Sequence, residues 1–134
     1  LTAELREKLR ALPELLGCTL QLVGGNHDAG SWLEGLPAEM PQACGRLWLS
    51  HEPAEPPEPD QLNLCGHLHP VAVLGRGADR LRLPCFALER QRRRLQLPAF
   101  GALTGGHVCA ASLQRWVVAD GQVLPLAGGQ RRGP

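Results

Sequence analysis

The chain has 134 residues, of which 43% are hydrophobic and 20% are charged. This composition is typical of one globular domain and excludes a disordered chain. No stretch approaches ~18 uninterrupted apolar residues, which excludes a membrane-spanning helix. The net charge of +1 is unevenly divided: residues 1–70 carry 4 basic and 10 acidic side chains, and residues 71–134 carry 10 basic and 3 acidic. The basic half is suited to a polyanionic partner.

The first half of the chain predicts one helix followed by short apolar strands. Thr2 is a candidate N-cap, and the leucines that follow it recur at helical spacing, so we expect a helix over 2–16 that ends at Gly17. Residues 18–23 predict a buried strand that ends in two glycines. Further short strands are predicted over 47–50 and 62–65, with loops over 29–46 and the Pro-rich 53–60.

The second half predicts a run of antiparallel strands. Apolar runs separated by turn residues predict strands over 71–74, 81–88, 95–97, 116–119 and 122–126. Asp120-Gly121 is a strong signal for a two-residue hairpin turn between the last two. We expect residues 127–134 to form a disordered tail. The chain begins without Met inside a predicted helix, which predicts that residues precede Leu1.

The five cysteines indicate buried free thiols rather than a metal or redox motif. No C-x-x-C spacing occurs, and the count is odd. Apolar neighbours surround Cys65 and Cys85, as is typical of buried thiols in a reducing compartment. The expected location is therefore cytoplasmic.

Three short segments place histidine directly after a predicted strand. They are Gly25-Asn26-His27-Asp28, Ser50-His51-Glu52-Pro53 and Gly66-His67-Leu68-His69-Pro70. Asn-His-Asp alone is ordinarily a turn, and Ser-His alone is ordinarily a strand-end hydrogen bond. His-x-His along a strand puts both rings on one face, which is a better geometry for metal ligands. Together they predict one crevice at the carboxyl ends of the strands. Imidazole nitrogens with an amide oxygen favour Mn²⁺, Fe²⁺ or Zn²⁺ over Ca²⁺.

These segments resemble the last three motifs of the calcineurin-like metallophosphoesterases. Within that superfamily the chain looks most similar to the ligase-associated DNA damage response endonucleases, because Glu52-Pro53, the Pro70 after the histidines, and the Pro98-Ala99-Phe100-Gly101 segment match that group. The resemblance covers residues 1–126 as the C-terminal part of one domain. It implies an α/β fold, a two-sheet sandwich flanked by helices, which is N-terminally truncated here.

The resemblance also implies roles for individual residues and two divalent metal ions, Mn²⁺ first, with Fe²⁺ or Zn²⁺ as alternatives. Asn26, His51 and His67 match ligands of one metal, and His69 matches a ligand of the other. His27 matches the histidine that contacts the phosphate and protonates the leaving oxygen. Asp28 either orients His27 or caps the next turn, and the sequence favours neither.

One departure from the family pattern bears on activity. The Asp-x-His and Gly-Asp motifs, the second of which supplies the bridging carboxylate, do not occur in this chain. The retained ligands are neutral, so we expect weak metal affinity. The implied function is metal-dependent hydrolysis of phosphodiesters, with DNA as the substrate and DNA-repair proteins as partners.

The alternative is a non-catalytic module that binds nucleic acid or a repair partner. Its motivation is the basic second half, above all Arg90-Gln91-Arg92-Arg93-Arg94. No aromatic residue interrupts this run, which favours a solvated turn over a stacking platform for bases. DNA binding that depends on salt and survives metal chelation would distinguish the module from the enzyme.

Overall fold

The computed structural model describes residues 2–25, 38–39, 41–101 and 104–126. The elements are α1 (Ala3–Leu16), β1 (Leu22–Val23), β2 (Ala38–Glu39), β3 (Gln42–Cys44), β4 (Leu47–Ser50), β5 (Leu62–Cys65), β6 (Pro70–Leu74), β7 (Leu81–Glu89), β8 (Arg94–Gln96), β9 (His107–Val108), β10 (Gln114–Ala119) and β11 (Gln122–Leu126). Two short 3-10 helices, Gly77–Asp79 and Arg90–Arg92, flank β7. The predicted tail over 127–134 lies outside the described residues.

Helix α1 begins and ends where its sequence predicts. The Thr2 hydroxyl accepts a hydrogen bond from the Leu5 amide, and Gly17 adopts the left-handed conformation (φ 62°) that closes a Schellman cap with Cys18. None of its residues is fully buried, and Leu16 remains 64% exposed. Among the helices of the described residues, none is long and apolar enough to cross a membrane.

Most of the strands form one mixed nine-stranded sheet, and β1 pairs with β2 in a separate parallel pair. The main path runs β11-β10-β7-β8-β5-β4-β3. Strands β4, β5 and β8 are parallel to one another, and the other pairs on this path are antiparallel. The carboxyl ends of β4, β5 and β8 therefore lie side by side at one edge, at Ser50, Cys65 and Gln96.

Strand β7 belongs to two ladders at once. Its first half pairs with β6, from Leu81 against Leu74 to Pro84 against Val71. Its second half pairs with β8 on one side, while β10 pairs with it on the other. Strand β9 then pairs parallel with β6. The small core lies at this junction, where Ala72, Cys85 and Val117 are buried.

The predicted α/β fold is supported in part: the described residues form a mixed nine-stranded sheet with one α-helix, and the nine-residue β7 joins its two ladders. Two expectations about the fold need correction. The predicted buried strand over 18–23 is reduced to β1, which is two half-buried residues. Within the predicted loop over 29–46, residues 42–44 form β3, an edge strand that pairs with β4.

The last hairpin is confirmed in detail. Asp120 and Gly121 both have positive φ angles, 48° and 72°, as a two-residue turn of this hand requires. Strands β10 and β11 pair in register on either side, with Ala119 opposite Gln122.

Burial of Cys85 makes the fold sensitive to alkaline pH. Burial, followed by the neighbouring Cys109 thiol 3.7 Å away, raises the pKa of Cys85 from 9.0 to about 12. The unfolded chain therefore loses this proton first, so the stabilising effect is complete below pH 9 and is lost as the pH rises toward 12. We expect the free energy of unfolding to fall as the pH rises through this range because of this one thiol.

Urea unfolding at pH 8, 9, 10 and 11 measures this loss. Cys85→Ala should show a shallower alkaline decline than the unmodified chain, whereas Cys18→Ala, which removes an exposed thiol, should keep the original decline. Equal slopes for all three proteins would contradict the assignment.

Candidate active site

The second and third histidine segments meet at the carboxyl edge of the parallel strands. His51 follows β4 and His67 follows β5 after one residue. The Gly66 amide donates to the His51 carbonyl at 3.1 Å, so the two loops are joined by backbone before the side chains meet. Each segment is thereby placed by the strand that precedes it.

The rings of His51 and His67 are in direct contact. His67 Nδ1 lies 3.1 Å from His51 Nε2, and the ring centroids are 4.9 Å apart with the planes at 72°. Both side chains are partly buried. This separation fits an N–H···N hydrogen bond. It also fits two ligands of one ion, because metal–nitrogen bonds of about 2.1 Å place two nitrogens roughly 3.0–3.4 Å apart.

The first segment approaches His51 from the other side. A Cβ built on Gly25 would lie 2.7 Å from Nδ1 and Cε1 of the His51 ring, so only glycine allows the backbone to come this close. Neither Gly25 nor Gly66 has a positive φ. Asn26, His27 and Asp28, which follow Gly25, lie outside the described residues.

A cavity of about 440 Å³ opens beside His51. It is lined by Gly25, the loop from His51 to Ala54, and Pro41. Glu52 is the acidic residue in this lining.

His67 and His69 do not extend along a strand as the sequence analysis assumed. They lie between β5 and β6, and both adopt the left-handed conformation with φ angles of 54° and 46°. The Leu68 amide donates to the Gly66 carbonyl across His67 in a tight turn. Each left-handed residue costs about 1–2 kcal/mol, and such strain tends to cluster at functional sites.

His69 is separated from the His51–His67 pair. It lines a different cavity, together with Arg82 and the Thr104–Gly106 segment. Within the described residues, no group of three or more His, Cys, Asp or Glu side chains could hold a metal ion. The donor chemistry of His51 and His67 fits two positions on one divalent ion, and the full ligand set of Asn26, His51, His67 and His69 stays a prediction.

The sequence analysis missed the residue that holds the His51 loop. Asn63 on β5 is completely buried. Its Nδ2 donates to the Trp48 carbonyl at 3.0 Å and to Ser50 Oγ at 2.8 Å, and its Oδ1 accepts from the Ala54 amide at 3.0 Å. The only sequence signal was a polar residue in the middle of the apolar run 62–65.

The chain is structurally similar to a nuclease. The crystal structure of Pseudomonas putida nuclease MPE matches with a TM-score of 0.62 and 31% sequence identity, over 84% of this chain and 56% of that chain. This chain thus spans little more than half of the nuclease. No family model matches the chain, and no curated protein matches it.

Replacing Asn63 should destabilise the fold through groups left without partners. Asn63→Ala removes the partner of the half-buried Ala54 amide and two further hydrogen bonds, to Trp48 and Ser50, so we expect a loss of about 2–4 kcal/mol in the free energy of unfolding. Ser50→Ala, which removes one partner and leaves the other two bonds intact, should cost about 1 kcal/mol. Chemical denaturation measures both, and equal costs would show that the network does not depend on Asn63.

Gly25→Ala should move the His51 ring without changing the rest of the sheet. The added methyl group would overlap the ring, so the imidazole must rotate or the backbone must withdraw. Gly66→Ala is the matched control in the same site, because its Cβ would lie 3.9 Å from the His51 carbonyl, an ordinary contact. Imidazole resonances in NMR spectra should shift for His51 in Gly25→Ala and remain in place in Gly66→Ala.

Proposed function

We propose that this chain carries part of the active centre of a metal-dependent phosphodiesterase that cleaves nucleic acid, and that it is a member of the calcineurin-like metallophosphoesterase superfamily. The carrying observation is the 3.1 Å contact between His51 and His67 at the carboxyl edge of parallel strands. The structural similarity to a nuclease supports it, and so do the three histidine motifs.

In this proposal His51 Nε2 and His67 Nδ1 bind one divalent ion, together with the amide oxygen of Asn26. His69 is assigned to a second ion. Bound divalent ions would neutralise charge on the phosphate and acidify an attacking water. Mn²⁺ is the proposed ion, with Fe²⁺ or Zn²⁺ as alternatives.

The protein's own residues have three tasks in this scheme. His51 and His67 would each have to present an unprotonated nitrogen to hold an ion, and the two nitrogens already lie within hydrogen-bond distance of each other. His27 donates a proton to the leaving oxygen, and Asp28 is the candidate to orient it. Asn63 keeps the His51 loop in place through its bonds to Ser50 and Ala54.

The finer assignments belong to this proposal as well. DNA as the substrate, repair proteins as partners and the cytoplasmic location are supported by the motif resemblance alone. The whole protein's activity depends on carboxylate ligands that this sequence does not contain as Asp-x-His or Gly-Asp motifs.

The non-catalytic module has less support from the structure. Arg92 and Arg94 contact Glu89, Arg90 donates to Gln114, and Arg93 donates to backbone carbonyls of Glu58 and Gln61. Every arginine of the run thus has a partner within the chain. These contacts hold together the turn after β7 and the loop before β5. This structural role is the ordinary explanation of a run of arginines in a turn.

Metal binding and hydrolysis test the proposal together. Titration with Mn²⁺ should broaden NMR signals of His51 and His67 first, and the chain should hydrolyse bis-p-nitrophenyl phosphate only with the ion present. His67→Ala should lower Mn²⁺ affinity at least tenfold and abolish turnover. His107→Ala is the control, because His107 is exposed and is not one of the proposed ligands.

The two readouts separate the parts of the proposal. Metal binding at His51 and His67 without turnover would show that the missing carboxylates are indispensable for catalysis. Turnover that survives His67→Ala would overturn the assignment of the site. Mn²⁺ that leaves both histidine signals unchanged would overturn the metal centre itself.

A further inference from the structure

A second cavity, of about 290 Å³, lies on the other side of the histidine turn. It is bordered by His69, by Arg82 of β7, and by the segment Thr104-Gly105-Gly106. Its described lining contains no Asp or Glu, and Arg82 and His69 are its ionisable side chains. The cavity is therefore suited to an anion.

The glycine segment is fixed against the histidine turn by backbone contacts. The His107 amide donates to the His69 carbonyl at 3.1 Å, where β9 joins β6. A Cβ on Gly106 would lie 2.0 Å from Val71 Cγ2 and 2.8 Å from the His69 oxygen. Only glycine allows this approach, so the segment is held in place at the cavity wall.

Arg82 is directed to the same wall. Its Nη2 donates to the Gly106 carbonyl at 3.1 Å, and it makes no ion pair with any described residue. One N–H group of the guanidinium is therefore paired with this carbonyl, while its other N–H donors remain available for a ligand. A planar fork of this kind suits the two oxygens of a phosphate.

The backbone adds further donors. Among the described residues, no hydrogen bond uses the amide of Gly105 or of Gly106. Thr104 contributes a hydroxyl to the same lining. Both glycines line the cavity together with Arg82, and backbone amides beside an arginine are typical of anion sites.

We propose that this cavity binds the phosphate of a nucleic-acid strand next to the phosphate that is cleaved. The inference rests on the proposed function, which places the cleaved phosphate at His51 and His67. One residue, Leu68, separates His67 from His69, a reach of at most ~7 Å, so a phosphate bound by Arg82 in the cavity beside His69 can belong to the same strand as the phosphate that is cleaved. Arg82 then acts on strand binding and has no part in the chemical step.

Two substrates of different length separate this role from catalysis. Bis-p-nitrophenyl phosphate has a single phosphate, whereas a single-stranded oligothymidylate also fills the second cavity. Arg82→Gln retains a donor for the Gly106 carbonyl and removes the charge. We expect it to raise the KM for the oligonucleotide about tenfold and to leave hydrolysis of bis-p-nitrophenyl phosphate unchanged.

Arg80→Ala is the matched control. Arg80 is exposed, lies two residues before Arg82 and does not border the cavity. It should leave both substrates unaffected. Equal losses in Arg82→Gln and Arg80→Ala would attribute the effect to general charge and overturn the inference, as would an unchanged KM for the oligonucleotide in Arg82→Gln.

Binding without a metal makes the result independent of turnover. In the presence of a chelator, the affinity for the dinucleotide pTpT should fall about tenfold in Arg82→Gln. The slope of log affinity against log salt should become shallower by about 0.7, the value for one phosphate contact on a single strand. If the unmodified chain binds no Mn²⁺ at His51 and His67 yet shows this Arg82-dependent binding, the metal centre of the proposed function fails and the phosphate site stands.

Inorganic phosphate serves as the last comparison. A site for a strand phosphate should bind pTpT more tightly than inorganic phosphate, because a nucleoside can contact Ala99 and Pro84 in the same lining. Equal, Arg82-dependent affinity for both would reduce the site to one for free phosphate and would overturn the nucleic-acid assignment.

Discussion

The buried amide of Asn63 is the interaction on which the candidate site depends. A polar side chain without any exposure must satisfy its donors and acceptor inside the protein, and Asn63 does so with Trp48, Ser50 and Ala54. These partners lie on both sides of His51. The side-chain amide of Asn63 thus fixes the loop that follows β4 relative to β5. That loop places His51 next to His67.

The site also requires close contacts that only glycine permits. Gly25 brings one backbone segment against the His51 ring, and Gly106 brings another against the histidine turn. Both contacts join segments that are distant in sequence. Three chain segments therefore meet at this edge of the sheet, and the contacts leave little room for larger side chains. Helix α1, by contrast, remains largely exposed.

Short-range sequence signals predicted the elements that depend only on neighbouring residues. The Thr2 cap, the Gly17 ending and the Asp120-Gly121 turn depend on a few neighbouring residues, and the structure has all three. The two ladders of β7, the short strands β3 and β9 and the role of Asn63 depend on partners far along the chain. The hydrophobic periodicity of a segment carries no information about such distant partners. The left-handed backbone of His67 and His69 was missed because the sequence interpretation placed both histidines on an extended strand.

That left-handed backbone restricts how the histidine turn can change during evolution. Aside from glycine, the residues that enter this conformation most readily are Asn, Asp and His. All three offer a nitrogen or oxygen to a cation, whereas a branched apolar residue would strain the turn. Substitutions at positions 67 and 69 are therefore expected to favour Asn or Asp. Either residue would replace a ring nitrogen with an oxygen, and oxygen donors prefer harder ions. The backbone thus favours residues that could bind a cation at both positions.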